Sequence, residues 1–178
     1  MVRTRVGYAG GTTANPTYRT IGDHTEALQV DFDPAVITYE QLLAQFWQQH
    51  EPCAASWSRQ YQAILFYGDA AQAEVAKRSA AAVHAVEGRQ LTTEVRPLDR
   101  FYLAEDYHQK YALRRDHQLM ATLRQYFASE AELRDAPVSA RLNAYSYGEM
   151  PFAELQVELH KLGFEALGEH DLTGLRKL

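Results

Sequence analysis

The feature that most constrains this chain is an alternation of short strand-like runs with capped, amphipathic helical stretches. Val2 to Tyr8 reads as a short strand ending at a turn, and Gly10, Gly11 and Pro16 punctuate a loop to about Asp23. Glu26 to Phe32 alternates, with Ala27, Gln29 and Asp31 on one side and Leu28, Val30 and Phe32 on the other, until Asp33-Pro34 stops it. Thr38 fits an N-cap with Gln41 as its capping-box partner, followed by the apolar stripe Leu42, Leu43, Phe46 and Trp47. That helix ends near His50, before Pro52. Gln62 to Tyr67 is a compact strand, and Asp69 starts an Ala-rich helix to about Glu87 with Gly88 beyond its end. A further strand is expected over Leu91 to Val95. A helix follows from Asp106 to about Tyr126, with Leu113, Leu119, Met120 and Leu123 as core contacts. Pro151 suits the first position of a last helix, whose stripe is Phe152, Leu155, Leu159 and Leu162 and which Gly163 closes. Short strands alternating with helices in this way imply an α+β domain.

Composition narrows the functional classes. A net charge of −5 argues against a nucleic-acid binder, which needs a basic stripe to displace counterions. No apolar run approaches the ~20 residues that span a bilayer, and Met1 to Gly11 contains no apolar signal core. The expected setting is a soluble cytoplasmic protein, with neither a membrane nor a nucleic acid as partner. Cys53 stands alone, so neither an internal disulfide nor a thiolate-rich metal site is available. The seven histidines show no metal-ligand spacing, and no metal is expected.

Several short strings occur together in order: Gly7-Tyr8-Ala9-Gly10-Gly11, Pro16-Thr17-Tyr18, His24-Thr25-Glu26-Ala27, Phe32-Asp33-Pro34, Phe46-Trp47-Gln48-Gln49-His50, Gln60-Tyr61, and Ala104-Glu105-Asp106-Tyr107-His108-Gln109-Lys110-Tyr111. In this order and spacing residues 2–111 resemble the peptide methionine sulfoxide reductase A family. The resemblance implies a ferredoxin-like α+β two-layer sandwich over 1–111, with 112–178 as a helical C-terminal extension packed on it. It implies thiol-dependent reduction of methionine-S-sulfoxide, free or in proteins, to methionine. No resident cofactor is implied, the reductant being an external thiol or a thioredoxin-type protein. A thiolate attacks the sulfoxide sulfur, and the departing oxygen needs a proton from a carboxylic acid and fixed hydroxyl donors around it.

Carried over by position, Glu26 matches the family's acid, and Tyr8 and Tyr61 match its oxygen-binding tyrosines. Each also has a plain structural reading: Glu26 as a solvated carboxylate, and the tyrosines as amphipathic core residues with their hydroxyls at the surface. The functional reading expects all three to converge on one concavity, with Glu26 partly buried and its pKa raised by desolvation. His24, His50 and His108 are read as structural hydrogen-bonders near that site.

The sequence also departs from the family. The nucleophilic cysteine lies in a Gly-Cys-Phe-Trp motif upstream of the Gly-Tyr-Ala-Gly-Gly string, which here starts at Gly7. That motif, its methyl-pocket Phe and Trp, the Asp of a longer loop between Pro52 and Gln60, and the resolving cysteines near the C-terminus are not found. The family's first strand and helix also precede Gly7. Either the chain is a fragment or its start is misassigned, or another element fills the gap, the stripe from Phe152 to Leu162 being a candidate cover for the sheet. Cys53 is a candidate substitute nucleophile, because a loop thiol near a histidine can be activated; its plain reading is a free cysteine. Three functions follow: a sulfoxide reductase, a catalytically silent sulfoxide- or peptide-binding module, and a Cys53-dependent thiol enzyme.

Overall fold

A computed structural model describes residues 2–167 and 172. In chain order the regular elements are strand β1 (Arg3–Ala9), strand β2 (Thr25–Asp31), helix α1 (Tyr39–Gln48), strand β3 (Ile64–Tyr67), helix α2 (Ala70–Glu87), strand β4 (Glu94–Pro97) and strand β5 (Phe101–Leu103). Then come the helices α3 (Tyr111–Arg114), α4 (His117–Tyr126), α5 (Glu130–Asp135), α6 (Pro137–Ser146) and α7 (Phe152–Lys161). This is the mixed α and β content expected, with helices toward the C-terminus. The strands form two sheets, one of order β2-β1-β5 and a pair β3-β4. No described helix is long and apolar enough to cross a membrane.

The residues fall into two units. The first comprises Gly7–Leu28 and Phe32–Ala104. In it β5 pairs antiparallel with the end of β1, Gly7 opposite Leu103 and Ala9 opposite Phe101. β3 and β4 pair in parallel, Ile64 opposite Glu94 and Tyr67 opposite Pro97. Leu43 of α1, Leu65 of β3 and Ala76 of α2 form the buried centre, flanked by Tyr39, Phe46, Trp47, Val75 and Val95. Local chemistry sets the helix boundaries. Thr38 and Gln41 make the reciprocal capping box. Asp69 accepts from the Gln72 N–H to start α2, and Gly88 ends it in the left-handed conformation at φ 63°. Two expected strands shift: 62–67 narrows to β3, and 91–95 moves to β4 because Thr92 and Thr93 bond the Pro52 carbonyl instead of entering the ladder.

The second unit comprises residues 2–6, Gln29–Asp31 and the described chain from Glu105 onward. Its core joins Leu113, Leu119, Met120, Leu123, Leu133, Val138, Leu142, Leu155 and Leu159. The single helix expected over 106–126 is broken. A 3-10 turn covers Asp106–His108, Lys110 takes a left-handed φ of 54°, and Asp116 starts α4 afresh by accepting from the Leu119 N–H at 2.8 Å. Pro151 is the N-cap of α7 rather than its first residue. Leu155 and Leu159 are buried as the stripe implies, while Phe152 and Leu162 pack at the margin of the core.

Gln109 and Lys110 hold the start of β1 within this unit. The Gln109 amide accepts from the Val6 N–H at 3.0 Å and donates to the Val6 carbonyl at 2.8 Å, replacing the two bonds a neighbouring strand would make. The Lys110 ammonium bonds the Thr4 carbonyl and hydroxyl.

Candidate active site

The first unit assembles a polar site where β1 ends and β2 begins. The glycines of the Gly7–Gly11 string are there for steric reasons. A Cβ on Gly7 would lie 2.2 Å from the Tyr102 carbonyl oxygen of the paired β5 strand. Gly10 has φ 81° and sits against the Phe66 ring. A Cβ on Gly11 would meet the Asp23 carboxylate at 2.6 Å.

That carboxylate organises the loop after β1. It accepts from the N–H and hydroxyl of both Thr12 and Thr13 at 2.8–3.0 Å. The backbone N–H groups of Thr13 and Thr12, then their hydroxyls, hold the Asp23 carboxyl well below the usual carboxylate range. Next to it His24 is buried; its Nδ1 accepts from the Gly11 N–H at 3.1 Å, so the ring proton sits on Nε2 and is donated to the Thr13 carbonyl at 2.8 Å. These bonds set the end of β1, with Tyr8, beside the start of β2, with Thr25 and Glu26. Tyr8 is fully buried there at 2% exposure.

A second anchor brings the Gln60-Tyr61 segment to β2. The Thr25 hydroxyl, itself buried, points at the carbonyls of Gln60 at 2.9 Å and Gln62 at 3.0 Å. Gln60 then donates its Nε2–H to Glu26 Oε1 at 2.7 Å. Tyr61 is hydrogen-bonded to Tyr18 and close enough to Glu26 to feel its charge. Its phenol pKa is raised, by loss of hydration first and then by Tyr18 and the Glu26 carboxylate. The hydroxyl therefore stays protonated, a donor, across the neutral range. Arg59 fixes the other side of the segment, reaching Glu94 Oε1 at 3.0 Å and the Asp23 carbonyl at 3.3 Å.

Glu26 and Tyr61, 35 positions apart in sequence, are thus neighbours. Tyr8 lies by its backbone at the adjoining strand end. The expected partial burial of Glu26 is not found: the residue is exposed, with its carboxylate hydrogen-bonded to Gln60. Gln60 and Tyr18 are additions to the site. Both lie within the recognised strings, but nothing in their local pattern singles them out.

Cys53 belongs to a different environment. Its N–H donates to Glu51 at 3.2 Å, and its Sγ lies within 4.8 Å of carboxylate oxygens of Glu51 and Glu87. Arg89 bonds both carboxylates, at 3.2 and 2.9 Å, so one guanidinium offsets part of their charge. Thr92 and Thr93 pin this loop through the carbonyls of Pro52 and Ala54. Among the described contacts none joins Cys53 to Glu26, Tyr8 or Tyr61. His50 is a structural hydrogen-bonder, with Nδ1 on the Phe46 carbonyl at 3.0 Å and Nε2 on the Thr93 hydroxyl at 2.8 Å, but these described partners tie it to the Cys53 loop and not to the Glu26 grouping near which it was expected.

Comparison with known proteins decides the family. The sequence profile described as "Peptide methionine sulfoxide reductase" matches residues 1–136. The chain belongs to the peptide methionine sulfoxide reductase family. The match runs beyond residue 111, where the recognised strings stop, and into the helices of the second unit. A peptide methionine sulfoxide reductase of Drosophila melanogaster is 38% identical over 165 residues, covering 92% of this chain and 66% of that protein. Peptide methionine sulfoxide reductase A5 of Oryza sativa is 38% identical over 82% of this chain and 59% of its own length. The chain thus spans about 59–66% of these curated relatives. In three dimensions it is similar to reduced Mxr1 from Saccharomyces cerevisiae, with a TM-score of 0.56, 27% identity, and coverage of 64% of this chain and 71% of that one.

Proposed function

We propose that this chain carries the acid and oxygen-binding half of a methionine-S-sulfoxide reductase site, with Glu26 as the proton donor and Tyr61 and Tyr8 as the hydroxyls that hold the sulfoxide oxygen. The observation that carries the reading is the Gln60–Glu26–Tyr61 grouping in a member of this family. The Gln60 amide holds one carboxyl oxygen and leaves the other for a substrate. A neutral Tyr61 beside it supplies a second donor. We keep the ferredoxin-like reading of the fold as part of this proposal.

The chemistry needs a thiol as well. A thiolate attacks the sulfoxide sulfur and forms an S–S bond while Glu26 delivers a proton to the oxygen; the hydroxyl then passes to the thiol sulfur as the S–O and S–S bonds break, which releases the thioether and leaves the thiol as a sulfenic acid. A second thiol then forms a disulfide with it and releases water. Glu26, Tyr8 and Tyr61 contain no group that can accept the oxygen. Acid catalysis alone is worth roughly 10²–10⁴-fold, and a free thiol lacks the proximity advantage of a positioned one. The 178-residue chain should therefore turn over sulfoxide slowly or not at all with dithiothreitol.

The second reading, a sulfoxide- or peptide-binding module without turnover, is favoured by the setting of Cys53 among Glu51, Glu87 and Arg89. One experiment separates these readings: sulfoxide turnover by the chain as given, by Cys53→Ser, and by a version fused to an upstream Gly-Cys-Phe-Trp segment. Turnover that appears only in the fused version and is lost on Glu26→Gln supports the reductase site. Turnover by the chain itself that Cys53→Ser abolishes makes Cys53 the nucleophile. Sulfoxide binding with no turnover in any version supports the binding module.

A further inference from the structure

We infer that the groove between α1 and α2 is a docking site for an amphipathic helix of a partner protein, one with an apolar face and with lysine or arginine in its first turn. The groove has a volume of about 670 Å³ and belongs wholly to the first unit. It shares no residue with Glu26, Tyr8, Tyr61, Gln60 or Tyr18, so it stands apart from the sulfoxide site proposed above.

The floor of the groove is apolar. Leu43 and Trp47 line it from α1, and Val75, Ala82, Val83 and Val86 line it from α2. The Trp47 wall is preformed, because its Nε1–H donates to the Ser79 hydroxyl at 3.1 Å. Val86 is 86% exposed, and Ala82 is exposed as well. A lone exposed apolar residue is ordinary. Here the exposed valine continues the apolar lining of a concave surface, which is the setting of a binding groove. From Val75 to Val86 the groove follows about 16 Å of α2, three helical turns. That length suits a second helix laying anchors one turn apart into the groove.

Charge selects the occupant. Where α1 begins, Glu40 is paired with Arg78 at 3.6 Å, so that part of the rim is neutral. The rim beyond the end of α1 is acidic. Glu51 follows α1, Glu87 is the last residue of α2, and both line the groove. Their carboxylate oxygens lie within 4.8 Å of each other and share the one guanidinium of Arg89. The C-terminal ends of the two helices add partial negative charge there. A partner helix places its own positive end over this pole when its first turn lies there, and a basic side chain in that turn meets the uncompensated carboxylate charge. An acidic or uniformly apolar helix gains neither interaction.

The test uses two synthetic helical peptides with the same leucine face, one with lysines in its first turn and the other with glutamates there. Each is titrated into the 178-residue chain carrying Trp57→Phe, which leaves Trp47, in the groove wall, as the only indole. The lysine peptide should change the Trp47 fluorescence saturably, and the glutamate peptide should bind roughly tenfold more weakly or not at all. Adding Ala82→Gln and Val86→Gln together should weaken the lysine peptide roughly tenfold. Circular dichroism should match the parent, because both positions are exposed and glutamine is a good helix former. Glu51→Gln with Glu87→Gln should abolish the preference between the peptides. Equal binding of the two peptides to the parent, binding that the Ala82 and Val86 changes leave unaltered, or no binding overturns the inference. So does a dimer of the chain in sedimentation velocity that the same two changes disperse, which would assign the groove to a second copy.

Discussion

Lys110 gives a pH dependence of stability with an unusual sign. Its side chain is 5% exposed, its backbone is left-handed, and its ammonium is spent on the Thr4 carbonyl and hydroxyl. Burial first, then the guanidinium groups of Arg5, Arg134 and Arg114 against the single opposing charge of Asp135, bring its pKa down from 10.5 to about 8. Below pH 8 both folded and unfolded chains hold the proton, and the folded state bears the cost of a buried ammonium. Between about 8 and 10.5 the folded state releases the proton first, so the unfolded state binds more protons and stability rises with pH. At about 1.4 kcal/mol per pH unit, the full rise is about 3 kcal/mol. The assay is urea unfolding at pH 7, 8, 9 and 10 for the parent and for Lys110→Met. Taking the difference between the two removes the titration of tyrosines common to both chains. The parent should gain on the variant as pH rises through this window. A difference that stays flat from pH 7 to 10, or one that moves the other way, would refute the argument that burial governs this lysine.

Three further outcomes follow from the packing. Gly7→Ala should destabilise by roughly 1–3 kcal/mol or more, because its Cβ meets the rigid Tyr102 carbonyl at 2.2 Å; thermal unfolding checks this. Thr38→Ala removes the bond that its hydroxyl accepts from the Gln41 N–H, one half of the capping box, and should cost about 1 kcal/mol, read from the denaturation midpoint. Asp135 has its carboxyl pKa lowered, by Arg134 first and then Arg5, so the stability it contributes is complete above the unfolded carboxylate range and is lost as pH falls below it; Arg5→Met should raise the pH of acid unfolding.

Elements whose ends are written in side chains were legible in the sequence. Thr38 with Gln41, and Asp69 with Gly88, mark α1 and α2 because each cap bonds within a few residues of itself. β5 could not be read this way. Phe101–Leu103 is three residues long, and its pairing partner begins at Gly7, so only the tertiary structure brings the two together. The second unit hid its breaks for a similar reason. Asp116 looks like one more polar position in an amphipathic run, yet its carboxylate competes for the Leu119 N–H and restarts the helix. α6 has no apolar stripe because six of its ten residues are buried, small ones such as Ser139 and Ala140 included, and the other four are half-buried. In the site, the order of the strings pointed to Glu26, Tyr8 and Tyr61. It gave no measure of how deep Glu26 would lie, which depends on Gln60 and on the β2 surface.

The claim that Glu26 and Tyr61 form a sulfoxide site is tested most directly by observing that site while each epimer is added. Two-dimensional NMR of the labelled chain would follow the Gln60 side-chain amide, whose Nε2 bonds Glu26, and the Tyr61 backbone during titration with the S and R epimers of N-acetyl-methionine sulfoxide methylamide. The account predicts that the S epimer shifts both signals in a saturable way and that the R epimer leaves them nearly unmoved, with the S response lost in Glu26→Gln. Equal responses to the two epimers, or an S-epimer response confined to residues remote from Glu26, would contradict it.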